Sequence, residues 1–164
     1  MKERVPYDDA VDLLDADHQA VKKMFMDYAA LCEDAASAAA KQALARRICQ
    51  ALSAHSQLEE EIFYPAVRKV IANDALMDEA LQEHADAKKT IARIEAMKAT
   101  DAAYDATVKQ LGKLIDQHVL EEREQIFLQA RNAALDLRGL TLPLLKRQQQ
   151  LKKNAAAQLA KETA

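Results

Sequence analysis

The chain has 164 residues, half of them hydrophobic and 30% charged, with only two glycines, three prolines and a net charge of −3. This length suits one domain with a substantial hydrophobic core, and the scarcity of helix breakers indicates an all-α protein. The mild charge gives no reason to expect nucleic acid as a partner, and no apolar run approaches the roughly 20 residues of a membrane-spanning helix. Since residues 1–10 carry charges without an apolar segment, we expect no signal peptide and a cytoplasmic location.

The first helix is predicted to start at Asp8 and Asp9, which can cap its N-terminus, and to end near Glu33. His18 lies on its apolar face, together with residues that recur at steps of three and four: Val11, Leu14, Val21, Phe25 and Tyr28. The weakly patterned stretch 33–40 then predicts a turn, with Ser37 as the cap of the next helix.

The second helix combines an apolar face with two polar residues, His55 and Glu59. The whole face comprises Leu44, Ile48, Leu52, His55, Glu59, Ile62, Ala66 and Val70. Pro65 cannot donate a hydrogen bond to the Glu61 carbonyl, so we expect a kink or an early stop near Tyr64.

Two further helices follow, each with a histidine on its apolar face. Asn73 and Asp74 predict the start of the third helix, which ends near Lys98 and carries on one face Met77, Leu81, His84, Lys88, Ile91 and Ile94. Thr100 and Asp101 predict the next turn and cap. The fourth helix runs to about residue 134, and its apolar face carries Val108, Leu111, Ile115, His118, Glu122 and Ile126.

Beyond residue 134 the helical pattern weakens. Gly139 and Pro143 interrupt it, and a fifth helix is predicted from about Leu142 to Ala160. We therefore divide the chain into a four-helix bundle at residues 1–138 and a helical extension at residues 139–164, packed on or beside the bundle. The leucines of the extension can cover one end of the bundle or pair with a second subunit, so a homodimer through this helix is one alternative.

The predicted turns place the four histidines at one height in an up-down-up-down bundle. In an antiparallel helix pair, residues equidistant from the turn share one height. The midpoint between His18 and His55 falls at residues 36–37 and that between His84 and His118 at residue 101, both inside predicted turns. The midpoint between His55 and His84 falls about three residues before Asn73, a displacement of only about 5 Å along a helix. We therefore predict one layer that contains all four histidines.

Two of these histidines are followed four residues later by a glutamate, His55 by Glu59 and His118 by Glu122. Residues i and i+4 share a helix face, so each pair can bind one metal ion. Burial of these polar groups without partners would cost on the order of 1–3 kcal/mol each, which metal coordination offsets. Four imidazoles and two carboxylates are too many for one tetrahedral zinc ion and suit two metals joined by the carboxylates. The donor types favour iron, with manganese or zinc as alternatives.

These motifs resemble those of the hemerythrin-like HHE cation-binding family over roughly residues 8–134. The matching segments are Asp17-His18-Gln19, His55-Ser-Gln-Leu-Glu59-Glu60 followed by Ile-Phe-Tyr-Pro, Glu83-His84, and His118-Val-Leu-Glu121-Glu122 followed by Ile126-Phe127. The resemblance implies two iron ions, bridged by oxide or hydroxide, with the terminal ligands His18, His55, His84 and His118 and the bridging ligands Glu59 and Glu122. The adjacent acids are expected to face solvent or neighbouring helices, with Glu60 as an alternative to Glu59; these acids are Glu60, Glu61, Glu121 and Glu124.

One position departs from the family's pattern. Oxygen-carrying members place a second histidine one turn after the third-helix histidine, where this chain has Lys88. The resemblance therefore implies an additional open or water-filled position on one iron, with Lys88 at the solvated rim. An open position favours access of O2, NO or peroxide over stable reversible carriage of O2.

Together these features predict a non-haem di-iron protein that binds or senses O2, NO or iron status. The alternatives are an enzyme acting on peroxide or NO or in the repair of iron centres, and a metal-free or zinc-loaded structural bundle acting through its C-terminal helix. Four aromatic residues are candidate walls of the pocket: Phe25, Tyr28, Phe63 and Phe127. Cys32 and Cys49 are interpreted as core thiols distant from the histidine layer, with a redox role or thiolate ligation as the alternative.

Overall fold

The protein folds into five long helices, with no strand among the residues described. The computed structural model describes the backbone of residues 7–163 and the side chains of residues 7–161. Helix α1 spans Ala10–Glu33, α3 spans Asp74–Ala96 and α5 spans Leu137–Thr163. Helices α2 and α4 each consist of three consecutive segments, the middle one a π-helix: Ala38–Leu58, Glu59–Phe63 and Tyr64–Arg68 form α2, and Tyr104–Glu121, Glu122–Phe127 and Leu128–Asn132 form α4.

Side-chain caps start the first three helices at the predicted positions. The side chains of Asp9, Ser37 and Asn73 each accept a hydrogen bond from the backbone N–H three residues later. The cap predicted at Thr100 and Asp101 is wrong, because α4 begins three residues further on, without a side-chain cap. Asp101 closes the preceding turn instead, since its carboxylate accepts from the backbone N–H of residue 98 at 2.9 Å.

The π-helical segment of α2 changes which residues face the core. Its widened turn is closed by the N–H of Tyr64, which donates to the Glu59 carbonyl five residues back. One extra residue is thereby inserted, and the buried positions move one residue along the chain. The predicted face Ile62, Ala66 and Val70 is therefore wrong beyond Glu59; the buried residues are Phe63, Tyr64, Val67 and Ile71. Of the two outcomes expected from Pro65, a kink or an early stop near Tyr64, the early stop is wrong, since the helix continues to Arg68.

Helix α5 begins earlier than predicted and includes both residues that were expected to break it. The Asp136 side chain accepts from the N–H of Gly139 at 2.9 Å, and its carbonyl accepts from the N–H of residue 140. Pro143 is exposed and removes only the backbone hydrogen bond to the Gly139 carbonyl. The helix packs along α1 and α2, and three leucines at seven-residue spacing join the core: Leu137, Leu144 and Leu151. The domain boundary after residue 138 stays a prediction, as does the homodimer.

Helices α1 to α4 form the predicted up-down-up-down bundle, with α1 against α2 and α4, and α3 against α2 and α4. Two apolar clusters fill it: one is built around residues that include Leu14, Leu58, Met77 and Ile126, and the other around residues that include Val21, Leu52, Ile91 and Leu111. Along each helix the histidine falls between the two clusters, so apolar packing encloses the polar layer on both sides. None of the helices in the described range is long and apolar enough to cross a membrane.

Candidate metal centre

The structure brings all six predicted site residues into one buried layer. Their side-chain donor atoms form two groups, each lying within 4.8 Å of one another. The first group is His18, His55, Glu59 and Glu122, and the second is Glu59, His84, His118 and Glu122. All six residues are buried, and the two glutamates, which belong to both groups, are 0% and 1% exposed.

Each of the two glutamates faces one histidine of each group. Glu59 Oε1 lies 3.0 Å from His55 Nε2 and 3.4 Å from His84 Nε2. Glu122 places Oε2 at 3.0 Å from His118 Nε2 and Oε1 at 3.3 Å from His18 Nε2. The carboxylates therefore lie between two pockets, in the position that a pair of bridging ligands requires.

Several of the inward-facing atoms have no hydrogen-bond partner. They are His18 Nε2, His55 Nε2, Glu122 Oε1 and both carboxylate oxygens of Glu59. The ion-pair distances above are short, but their geometry is not that of hydrogen bonds. A buried polar atom without a hydrogen bond costs on the order of 1–3 kcal/mol. Without bound metal, the layer therefore lowers the stability of the fold. Imidazole nitrogen and carboxylate oxygen are the donors that iron, manganese and zinc accept, and the residues present therefore fit bound metal.

A second set of carboxylates lies behind the histidines and was not predicted from the sequence. Asp17 lies 3.0 Å from His55 Nδ1, Glu83 lies 3.0 Å from His118 Nδ1, and Glu60 lies 3.3 Å from His84 Nδ1. Asp15 is more distant, at 3.6 Å from His18 Nδ1. A carboxylate at Nδ1 fixes the ring so that Nε2 points inward and makes that nitrogen a stronger donor.

The sequence contains a signal for two of these carboxylates. Asp17-His18 and Glu83-His84 are acid-histidine pairs on the two helices that lack a histidine-glutamate motif. Each acid serves the histidine of the neighbouring helix, because adjacent residues on a helix point about 100° apart. Their inclusion in the family resemblance was correct, but the reason for it is visible only in the packed structure.

Lys88 occupies the rim, as the sequence predicted. Its side chain is 54% exposed, and its Nζ lies 2.9 and 3.0 Å from the two carboxylate oxygens of Glu60. Since Glu60 also contacts His84, the lysine acts on the centre only through that carboxylate. Of the two surroundings expected for Glu60, solvent or a neighbouring helix, the structure shows the second, through its contacts with His84 and Lys88.

Tyr64 is a site residue that sequence reasoning missed. Its hydroxyl donates to Glu122 Oε2 at 2.5 Å and lies 3.3 Å from His84 Nε2 and 3.4 Å from His118 Nε2. Burial and the charges of Glu122 and Glu59 raise the pKa of the Tyr64 phenol well above its ordinary value. The residue lies five positions after Glu59, so it faces the layer only because the π-helical turn adds one residue. A sequence read with α-helical spacing alone cannot place it there.

Close imidazole–carboxylate contacts shift the pKa values of three groups in the layer, His55, His118 and Glu122. Burial lowers the pKa of His118, but the adjacent carboxylate of Glu122 outweighs burial and raises the pKa to about 9. The carboxylates of Glu59 and Asp17 likewise raise the pKa of His55 well above its ordinary value, against the opposing effect of burial. Burial raises the pKa of Glu122, yet the adjacent imidazoles of His118 and His18 hold it well below its usual range. A metal cation would replace the imidazole protons.

Three of the four aromatic residues proposed as walls of the pocket lie near the histidine layer, and the fourth does not. Phe127 stacks on His18 with ring centroids 5.8 Å apart, and Phe63 packs edge-on against Phe127 at 5.8 Å. Phe25 lines a surface cavity beside His18. Tyr28 is not a wall, because it lies ten residues beyond His18 on α1, where its hydroxyl donates to an aspartate of α4 at 2.6 Å.

Next to the layer lies a cavity of about 20 Å³, bordered by all four histidines and by apolar residues of the bundle. A volume of this order holds one water-sized molecule.

The two cysteine thiols are remote from the layer: Cys49 belongs to the apolar cluster beyond the layer, and Cys32 packs against that cluster. Burial raises the pKa of Cys49 to about 12, and burial together with the charge of Asp105 raises that of Cys32. Neither feature favours thiolate ligation.

Comparison with known proteins agrees with this geometry. The family model described as Hemerythrin HHE cation binding domain matches residues 9–130. A crystal structure of a Hemerythrin HHE cation binding domain-containing protein from Mycobacterium kansasii superposes with a TM-score of 0.78 at 18% identity, covering 93% of this chain and 92% of that one. A protein named DNA nickase from Nostoc sp. is 29% identical over 86 residues, which are 52% of this chain but only 24% of that protein's length. With the family model spanning most of its length and the buried histidine-glutamate layer inside the matched region, the chain belongs to the hemerythrin HHE cation-binding domain family.

Proposed function

We propose that the protein binds two iron ions in the layer and uses them to bind or sense a small oxidant such as O2 or NO. The observation that carries this proposal is the sharing of Glu59 and Glu122 between two buried donor groups. One ion would take His18 and His55 as terminal ligands, and the other would take His84 and His118. Bound iron supplies exchangeable coordination positions and reversible one-electron chemistry at such a site.

The chain's own residues provide the remaining requirements of this function. Asp17, Glu60 and Glu83 orient the histidine rings, and Phe127 covers His18 from one side. The cavity of about 20 Å³ beside the layer has room for one water-sized molecule, which favours a very small ligand over a larger substrate. Apolar clusters on both sides of the layer exclude bulk water, which controls the redox behaviour of a metal held there.

The position of Tyr64 favours a second candidate, an enzyme that decomposes peroxide. Its hydroxyl lies within 3.4 Å of Glu122, His84 and His118, on the same pocket that lacks a fifth histidine at Lys88. Burial and the charges of Glu122 and Glu59 keep this phenol protonated, so it can donate a hydrogen bond or a proton to a peroxide in that pocket.

Metal analysis and an anomalous-scattering map at the iron edge test the first proposal. We expect two iron ions per chain, bound by the six residues of the layer. The double variant His55→Ala, Glu122→Ala should lose both ions, whereas the matched double variant Gln57→Ala, Glu124→Ala, with exposed residues of the same two helices, should retain them. A stoichiometry below one ion per chain, or full retention of metal by the first variant, would refute the proposal.

Stopped-flow mixing of iron-loaded protein with O2, NO and hydrogen peroxide separates the two candidates. A binder or sensor forms a stable complex with O2 or NO and consumes no excess ligand. An enzyme consumes many equivalents of peroxide per chain, and Tyr64→Phe should then change the turnover rate. Turnover of peroxide without any stable complex of O2 or NO would replace the first candidate by the second.

A further inference from the structure

Helix α5 contributes one buried polar side chain to the surroundings of the metal centre. Gln148 is 6% exposed, and its Nε2 donates to Asp17 Oδ1 at 2.7 Å. The other oxygen of the same carboxylate, Oδ2, lies 3.0 Å from His55 Nδ1. We propose that Gln148 is a positioning residue of the centre, which holds Asp17 in place and thereby fixes the orientation and donor strength of His55. This inference rests on the proposed function of the layer as a metal site.

Packing determines where the amide of Gln148 lies. Leu144 and Leu151, on either side of it along α5, are 0% and 8% exposed and belong to the apolar core. A glutamine between two buried leucines costs free energy unless its amide is hydrogen-bonded. The hydrogen bond to Asp17 meets this requirement, so the docking of α5 and the position of Asp17 are coupled.

Without Gln148, the outer oxygen of Asp17 would face a cavity. The space between α1, α2 and α5 has a volume of about 310 Å³, and Asp17, His55, Gln148 and Lys152 are among the residues that line it. The Nζ of Lys152 lies 3.9 Å from Asp17 Oδ1 on a side chain that is 65% exposed, so it is a distant and solvated partner. Water would then compete with His55 for the carboxylate.

The partner of Asp17 differs in kind from those of two other outer carboxylates. Arg123 holds Asp15 with two contacts of 2.7 Å, and Lys88 holds Glu60, so cations on the bundle helices neutralise those acids. Gln148 is neutral, and it orients Asp17 without removing its charge from His55. It also lies outside residues 9–130, the part of the chain that the family model matches. The extension thus gives one of the two pockets a feature that the matched domain does not supply.

Loss of a group that orients a metal ligand typically lowers metal affinity 10–100-fold, and Gln148 is one link further from the metal. We therefore expect Gln148→Leu to weaken one of two binding steps about 3–10-fold, which is less than that range. The other step, at His84 and His118, should be unchanged. Gln149→Leu, at the exposed neighbouring position, is the matched control.

The first measurement uses metal-free protein with its histidine rings labelled with 15N. In Gln148→Leu, the Nδ1 proton of His55 should exchange with water about tenfold faster than in the wild type, which corresponds to the loss of one hydrogen bond. The Nδ1 protons of His84 and His118 should keep their rates in both variants. Unchanged exchange at His55 refutes the inference whether or not the layer binds metal.

The second measurement is a Co(II) titration followed by absorption spectroscopy. If the wild type takes up no Co(II), the proposed function fails, while the exchange result still decides the role of Gln148. Gln148→Glu retains the shape of the side chain but repels Asp17, so it must weaken the same binding step. In an Asp17→Asn background, Gln148→Leu should have no further effect on affinity, because the intermediary is gone. Additive effects would mean that Gln148 acts only through general stability and would overturn the inference.

Discussion

The hydroxyl of Tyr64 offers a direct test of how the buried layer is held together. Tyr64→Phe removes one oxygen and keeps the ring, which packs on His84 with centroids 5.3 Å apart. The lost contact is the 2.5 Å hydrogen bond to Glu122 Oε2 in a residue that is 2% exposed. The other oxygen of Glu122 already has no hydrogen-bond partner, so Oε2 would be left with only His118.

The expected loss of stability follows from these contacts. A hydrogen bond to a charged group contributes about 1.5–3 kcal/mol, so metal-free Tyr64→Phe should be less stable by about 2 kcal/mol. For a chain of this length, that loss lowers Tm by about 4–8 °C. Differential scanning calorimetry with a chelator present measures this shift, and urea unfolding gives the free energy independently.

A second buried tyrosine provides the control. Tyr104 is also 2% exposed, but it lies in the apolar cluster beyond the layer. Tyr104→Phe should leave metal stoichiometry and the proton exchange of the layer histidines unchanged. A Tm for Tyr64→Phe within 1 °C of the wild type, or above it, would refute the assignment of the hydroxyl as a stabilising donor to Glu122.

Three further outcomes are expected. Protonated His118 stabilises the metal-free fold fully below pH 6.5 and progressively less as the pH rises through its folded pKa of about 9. The urea concentration at the unfolding midpoint should therefore fall between pH 6.5 and 9. A rise would contradict the ion pair of His118 with Glu122. Because its pKa is raised to about 12, the Cys49 thiol should resist iodoacetamide at pH 8 until urea is added, as mass spectrometry of tryptic peptides will show. Leu144→Ala should lower the free energy of unfolding in urea by about 2–5 kcal/mol, because the residue is 0% exposed. Leu128→Ala, at a residue that is 53% exposed, should have little effect. Equal effects would show that α5 is not docked on the bundle.

The bundle and its histidine layer were predictable because they depend on local signals. Apolar periodicity marks the helices, and Asp9, Ser37 and Asn73 carry the cap chemistry that starts three of them. The common position of the four histidines along the bundle axis was predicted from the positions of the turns alone. Placing His18 and His84 in the layer needed no knowledge of the packed structure, since each lies on the only apolar face of its helix.

The misplaced residues have one main physical cause. A sequence read at 3.6 residues per turn does not reveal a π-helical turn, which is stabilised by the packed surroundings rather than by its own residues. The buried face of α2 was therefore displaced by one residue after Glu59, and Tyr64 was missed. Gln148 was missed for another reason: its contact with Asp17 joins residues more than 100 positions apart, and no pattern within one helix records it.

The two π-helical turns also have a consequence for the phase of the bundle. Each begins at a shared glutamate, and one inserted residue rotates the rest of its helix by about 100° relative to an unbroken α-helix. Phe63 and Val67 on one helix, and Phe127 and Ala130 on the other, point into the core only because of this rotation. The residues before and after each π-helical turn therefore face the same hydrophobic interior, on both sides of the metal layer. If either turn closed as an α-helix in the present sequence, the residues beyond it would point about 100° away from the core, whereas deletion of one residue within the turn would restore α-helical spacing and keep them facing inward.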